Sequence, residues 1–458
     1  MRLPHYLLVV MLAAMVPTST VGFVQTLTPD SNQFSIKQTY IPEHNFPLSF
    51  QVAGELGNKV LQNNDLAKTI ETSLRAWEQV PTASVFFGPI SFVDDPPIGF
   101  DRRNVITFAD EVNALPGDVV AYTLITLDDS GAILDADILL DPARSFSTTR
   151  TADSYDLGSV LTHELGHVLG LGHSPLPPAV MYPFAGPGST HQRQLHPDDV
   201  IGISTMYPID VKTTAKNLAT AVTTAAVGGA ISGKILRAGA PVFGAHVVLL
   251  NEYGNVVGST LTLPNGEYRL AALPASVYNL LVEPLNGPVR VSDITPGQER
   301  PSPGTIVDDF PTVFYTDPGG AGLRSRGSHL LEDALPLSVA PGVELNGLEL
   351  EVPTEPATLN LAMVWQELPP TRDPIFLTTD ATALLSFTAD PLRSVRAAGI
   401  LSTEYLLGSL IFDHALGTFT LEFTLDGAVE GSKALMISGD RELAVLPAGI
   451  HVGKTPAP

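Results

Sequence analysis

There is no cysteine among the 458 residues. That excludes disulfides, a thiolate metal site and a lipid-bearing cysteine behind a leader. Positive charge is scarce too: 25 Lys+Arg stand against 48 Asp+Glu, a net −23. Nucleic acid, whose phosphates demand a basic footprint, is therefore not an expected partner. The same surplus of carboxylates leaves acidic oxygens for calcium. A membrane span needs about 20 apolar residues. The apolar run at the start, "LLVVMLAAMV" (Leu7–Val16), is shorter than that. Arg2 precedes it, Pro17 breaks it and "TSTVG" supplies small residues. The pattern predicts an export signal over residues 1–22, and hence a secreted, extracellular protein with no membrane span.

What is present is a 44% apolar chain with 39 Pro and 39 Gly. Cores can form, many turns are expected, and the length suggests about three domains. From 34 to 208 strands and helices mix. "FPLSFQVAG" (Phe46–Gly54), "NVITFAD" (Asn104–Asp110), "DVVAYTLITL" (Asp118–Leu127) and "AILDADILLD" (Ala132–Asp141) read as strands, the last two joined by an acidic turn. Asn64–Val80 reads as an amphipathic helix capped by Asn64, with Leu66, Ile70, Leu74 and Trp77 on one face. His196–Tyr207 reads as a short helix with Pro197 at its start and Asp198 and Asp199 in its first turn. The Thr/Ala-rich stretch over 209–229 reads as a linker. Beyond it, short strands separated by Gly, Asn and Pro turns predict β-sandwich modules over 230–353 and a strand-rich region over 355–458.

Chemistry concentrates in "HELGHVLGLGH" (His163–His173), three of the chain's 11 histidines. At about 100° per residue, His163 and His167 share one side of a helix, while Leu157, Val160, Leu161, Leu165, Val168 and Leu169 form a stripe on another. Two imidazoles at i and i+4 can hold one cation. Glu164 lies to their side, able to deprotonate a water activated by that cation. A catalytic zinc needs a third protein ligand and an open position. Gly170 can stop the helix with φ > 0, and "LGLG" then returns His173 toward the metal. A closed structural zinc site is the competing reading, but such a site would have no use for Glu164.

H-E-x-x-H-x-x-G-x-x-H resembles the metzincin signature. Ser174 directly after the third histidine is similar to the matrixin branch, the matrix metalloproteinases. "AVMYP" (Ala179–Pro183) resembles that family's Met-turn, which would put Met181 as an apolar floor beneath the zinc and Pro183 in the wall of the pocket for the residue after the scissile bond. "LHPDDVIGISTMYP" resembles the family's closing helix, whose acidic pair braces the Met-turn and the mature N-terminus. "NGEYRLAALPASVYNLLV" resembles a carboxypeptidase regulatory-like, transthyretin-like β-sandwich.

Departures stand beside these likenesses. The inhibitory prodomain cysteine is missing, and too few residues precede the first strand for such a prodomain. "VVAYTL" and "AILDADI" lack the histidines of a second, structural zinc. Ala185 stands where a pocket tyrosine is expected. The likeness is to a minimal secreted bacterial-type matrixin. In the family the neighbourhood of Asp128, Asp129, Asp135 and Asp137 binds calcium, so Ca2+ could join Zn2+ here. His191 and His196 are weaker ligand candidates, read as solvated loop residues, and His246, His329, His414 and His451 as structural or surface.

The resemblance thus implies an α+β metzincin catalytic domain (mixed twisted sheet, active-site helix, Met-turn) followed by all-β sandwich modules. It implies a zinc endopeptidase acting on proteins or peptides, with His163, His167 and His173 as ligands and Glu164 as general base. The substrate would lie along the edge strand around Val119–Thr123, and the C-terminal sandwiches could attach the enzyme to a surface or matrix. Two alternatives are an inactive adhesion protein with a vestigial peptidase domain and a non-peptidase zinc hydrolase. The intact Glu164 argues against the first, the Met-turn against the second.

Overall fold

The computed structural model describes residues 36–61, 65–115, 119–209, 228–285, 309–320 and 322–356; it also describes 7–14, 27–29, 375–377, 382–387, 397–401, 405–407, 409–413, 418–424, 430–438 and 443–453. The first domain is a twisted mixed sheet with helices against it. Its strands are β1 (Leu48–Ala53), β2 (Phe87–Val93), β3 (Asn104–Phe108), β4 (Val119–Leu127) and β5 (Ile133–Leu140). They lie in the order β4-β5-β3-β1-β2. All neighbours are parallel except β4 and β5, which the acidic turn joins as an antiparallel hairpin with Thr123 opposite Ile138. Against the free edge of β4 lies an antiparallel sixth strand, Leu7–Ala14, from the stretch read as the export signal.

Helix α1 (Leu66–Glu78) forms as its periodicity predicts, burying Leu66, Ile70, Leu74 and Trp77. Its N-cap is Asp65, which makes no side-chain cap bond, and Asn64 lies outside the described residues. Trp77 Nε1 donates to Thr162 O at 2.8 Å and Ser73 Oγ to Gly158 O at 3.1 Å. These bonds fasten α1 to α2 (Leu157–Val168), the helix that carries the histidines. β2 was not anticipated. Gly88 and Pro89 interrupt any alternation, and the strand sits at the sheet edge, where a missing N–H costs least.

The predicted sandwich over 230–353 is present as two sheets. One holds β6 (Gly229–Arg237) between β9 (Glu267–Leu273) and β11 (Glu344–Glu351); the other orders β8 (Val256–Leu261), β7 (His246–Asn251) and β10 (Ser276–Glu283). Most of the segment read as a linker, residues 210–227, lies outside the described residues, and Gly229 already belongs to β6. The described residues of the last region form strands, among them β12 (Gly431–Ser438) and β13 (Leu443–Val452).

The modules are not beads on a string. Ile201, from α3 (Pro197–Met206), is buried in the sandwich core with Val247 and Leu249. Leu176 and Ala179, from the loop after the third histidine, share a cluster with Val248, Leu250 and Phe314 of the sandwich and Ala434, Met436 and Val445 of the last region.

Candidate metal centre

Asp156 caps α2 by accepting from Ser159 N at 2.8 Å, and Arg193 Nε holds the same carboxylate at 2.9 Å. The helix stops as the glycine predicts. Gly170 has φ +89, its N–H donates to His167 O at 2.8 Å and Leu171 N–H to Gly166 O at 2.9 Å. This pair of bonds is the Schellman arrangement. A Cβ on Gly170 would meet Thr39 O at 2.9 Å, so conformation and space both require glycine. A Cβ on Gly166 would come within 2.2 Å of Met181 Sδ, so this glycine lets the Met-turn sulfur lie directly against the helix.

The three predicted ligands do converge. His163 Nε2 and His173 Nε2 each stand 3.1 Å from His167 Nε2. The far nitrogens of two rings are tied down: His163 Nδ1 donates to Val180 O at 2.7 Å and His167 Nδ1 to Leu171 O at 2.8 Å. With the proton on Nδ1, each Nε2 presents a lone pair toward the shared point. Burial pushes His163 down to about 4, and burial plus the neighbouring His163 pushes His167 down to about 3, so both stay neutral near pH 7. Lone pairs facing one another at this distance repel unless a cation lies between them. The donor set fits zinc. Among the described residues no other cluster of metal-ligating side chains is found.

Glu164 is fully buried beside the triad. Thr123 Oγ1, on β4, donates to its Oε2 at 2.5 Å, while Oε1 has no hydrogen-bond partner in the protein. Burial raises its carboxyl to about 8, against the opposing pull of the Thr123 bond. Sequence reasoning placed Thr123 on the substrate edge but missed its bond to the base. The alternation of β4, which turns Thr123 inward with Ala121, was the available signal.

Met181 is buried, and the Met-turn is braced from α3: Asp199 accepts from Val180 N at 2.9 Å and Met181 N at 3.1 Å. Of the acidic pair, Asp199 thus serves the Met-turn; residues 23–26, where the mature N-terminus is expected, lie outside the described residues. Asp198 instead accepts from Ser174 Oγ at 2.6 Å and from Ser259 N, on β8, also at 2.6 Å. Beside the histidines a pocket is lined by Val120, Ala121, Tyr155, Val160, Tyr182, Pro183, Phe184, Ala185 and Gln192. The Tyr182 and Phe184 rings, 5.3 Å apart, supply the aromatic wall that Ala185 cannot.

The remaining candidates are used elsewhere. Asp128 Oδ1 accepts from Ser130 N and Ala132 N inside its own turn. Asp135 Oδ2 accepts from Asp101, Arg102 and Arg103 amides, and Asp137 from Gly99 and Val105 amides. Those oxygens anchor the loop before β3. His196 is buried rather than solvated, with Nε2 bonded to Ser432 Oγ at 3.1 Å, and His191 is half-buried, with Nδ1 bonded to Ser189 Oγ. His246 is buried against Glu283, Nδ1 to Oε1 at 2.7 Å. His414 lies outside the described residues.

Residues 43–208 match the matrixin family and residues 230–305 the carboxypeptidase regulatory-like domain, so the chain carries a matrixin domain followed by a regulatory-like one. Over 207 residues it is 28% identical to metalloendoproteinase 4-MMP of Arabidopsis thaliana, covering 43% of this chain and 58% of that protein. It is 31% identical over 143 residues to human matrix metalloproteinase-20 (31% and 28% covered) and 54% identical over 46 residues to human matrilysin (10% and 17% covered). The chain thus spans less than two thirds of the length of each of these relatives.

Proposed function

We propose, from the premise of a matrixin domain at residues 43–208, that the protein is a secreted zinc-dependent endopeptidase of the minimal bacterial type. The observation that carries this reading is the convergence of three histidine Nε2 atoms beside a buried glutamate with one unpartnered oxygen. A zinc ion held by His163, His167 and His173 would supply Lewis-acid polarisation of the scissile carbonyl and of the attacking water. Glu164 takes the proton from that water on its free Oε1 and returns it to the leaving amine, while Thr123 fixes Oε2. The peptide lies antiparallel along β4, and the side chain after the scissile bond enters the apolar pocket between Val120 and Pro183. An apolar residue is the expected preference there.

The strand Leu7–Ala14 takes this same edge of β4. Removal of residues 1–22 as an export signal would clear it, with no further activation step. Calcium has a weaker case: Asp135 Oδ2 and both oxygens of Asp137 are already engaged by loop amides. Surface or matrix attachment falls to the C-terminal modules. The test is digestion of a mixed peptide library by the chain from residue 23 onward, with and without a zinc chelator, and by the untrimmed chain. Chelator-sensitive cleavage before apolar residues by the trimmed chain is expected. Cleavage that ignores the chelator refutes the zinc reading, and an equally active untrimmed chain refutes the edge-clearing step.

A further inference from the structure

The loop between the third ligand and the Met-turn has its own support, and that support comes from outside the matrixin domain. Ser174 directly follows His173, and its N–H donates to Met181 O at 2.7 Å. Its hydroxyl donates to Asp198 Oδ2 at 2.6 Å and accepts from Leu176 N at 3.1 Å. The other oxygen of Asp198 faces the sandwich, accepting from Ser259 N at 2.6 Å and Ser259 Oγ at 3.2 Å. Ser174, Asp198 and Ser259 are all buried, so water does not compete for these bonds. The apolar members of the same loop, Leu176 and Ala179, are covered by residues of the sandwich and of β12 and β13. His196, the N-cap of α3, accepts from Asp198 N on Nδ1 and therefore donates through Nε2 to Ser432 Oγ.

We propose that the regulatory-like sandwich is a built-in part of the metal centre: through Ser259, Asp198 and Ser174 it fixes the backbone that carries His173. Ser259 and Asp198 are positioning residues, since neither touches the metal point, and the proposal rests on the three-histidine zinc reading above. The physical case is that His173 lies beyond the end of α2, so no helix holds it. On its N-terminal side the backbone is tied at Leu171, and directly after it at Ser174, through Met181 O and through Asp198. A carboxylate receiving donors on both oxygens transmits a shift of one donor to the other, because the rigid buried group cannot relax toward solvent.

A wedge at the seam tests this in the full trimmed chain. Gly258 precedes Ser259, has no positive φ, and a Cβ there would lie 2.4 Å from Ile201 Cδ1. Gly258→Ala should push β8 off α3, and zinc affinity, measured by competition with a chromogenic chelator, should fall about tenfold, the lower end for outer-shell changes. Ile201→Val removes the atom that is struck. Alone it should leave affinity unchanged, and combined with Gly258→Ala it should restore affinity to within about twofold by relieving the clash. Ser174→Ala, which keeps the domain seam intact and deletes the hydroxyl's bonds to Asp198 and Leu176 N, should also lower affinity about tenfold. A merely structural seam would lower the melting temperature of the metal-free variants and leave zinc affinity at the wild-type value. Wild-type affinity in Ser174→Ala, or in a folded Gly258→Ala, overturns the proposal. A wild-type chain that takes up no zinc overturns the metal reading beneath it as well.

Discussion

Thr123 Oγ1 and Glu164 Oε2 are 2.5 Å apart, one on the edge strand and the other on the active-site helix. The hydroxyl that holds the proposed base therefore belongs to the strand along which substrate would lie, so in that reading one backbone would position both base and substrate. The bond favours the ionised carboxylate, opposing the burial that raises Glu164 to about 8. Thr123→Val should raise that value further, so the base ionises only at higher pH. The acidic limb of the kcat/KM profile should move upward, with turnover near pH 7 reduced. An unmoved limb would show that the hydroxyl does nothing for the base.

The proposed ligand and base roles are separable by substitution. Glu164→Gln should keep zinc at one per chain and lower turnover roughly 10²–10⁴-fold, the usual range for a positioned general base. His173→Ala should lose zinc and activity together. Gly170→Ala touches no donor atom but forces a side chain into φ +89 against Thr39 O. A strain of about 1–3 kcal/mol is expected, read as a lower melting temperature and weaker zinc binding. Metal analysis beside a peptide assay decides: if Glu164→Gln sheds zinc as readily as His173→Ala, the roles are misassigned.

Acid should release the metal late. Protons compete with zinc only when the imidazoles can be protonated, and burial holds His163 near 4 and His167 near 3 instead of 6.5. Below the ordinary histidine value these rings remain neutral, so retention should continue to about pH 5 and fail as pH drops through about 4. Equilibrium dialysis against zinc at stepped pH measures this. Half-release near 6.5 would mean that the rings are solvated.

A chain ending after Pro208 should not behave as a free-standing enzyme. It would uncover Leu176, Ala179 and Ile201, all buried against later residues. Exposing each of the two larger side chains costs about 1.5–3 kcal/mol. Aggregation or a depressed melting temperature is expected, read by light scattering and thermal denaturation. A soluble product as stable as the first transition of the full chain would show that the seam is dispensable.

The opening motif was legible because all its information is local: two imidazoles one helical turn apart, a glycine at the stop, a third ligand a few residues on. The hairpin of β4 and β5 and helix α1 were legible for the same reason, since periodicity and turn chemistry speak within ten or so residues. β2 was not, because Gly88 and Pro89 erase the alternation that marks a strand. The seam was invisible for a different cause. Leu176 and Ala179 sit in a stretch whose prolines read as surface loop, and the residues that cover them are Val248, Phe314 and Val445. The burial of His196 and the bond from Ser259 to Asp198 depend on equally distant partners. No window of sequence contains both ends of such contacts.

That distance also sets an order in time. Synthesis runs from the N-terminus, so His163, His167 and His173 are made long before Ala434, Met436 and Val445, which finish covering the loop beside them. The three imidazoles can meet early, but the loop that carries the last of them gains this cover only when β12 and β13 have folded. If the proposed reading holds, a cutting enzyme assembled in this way would gain the last support of its site only after the residues of β12 and β13 have been made.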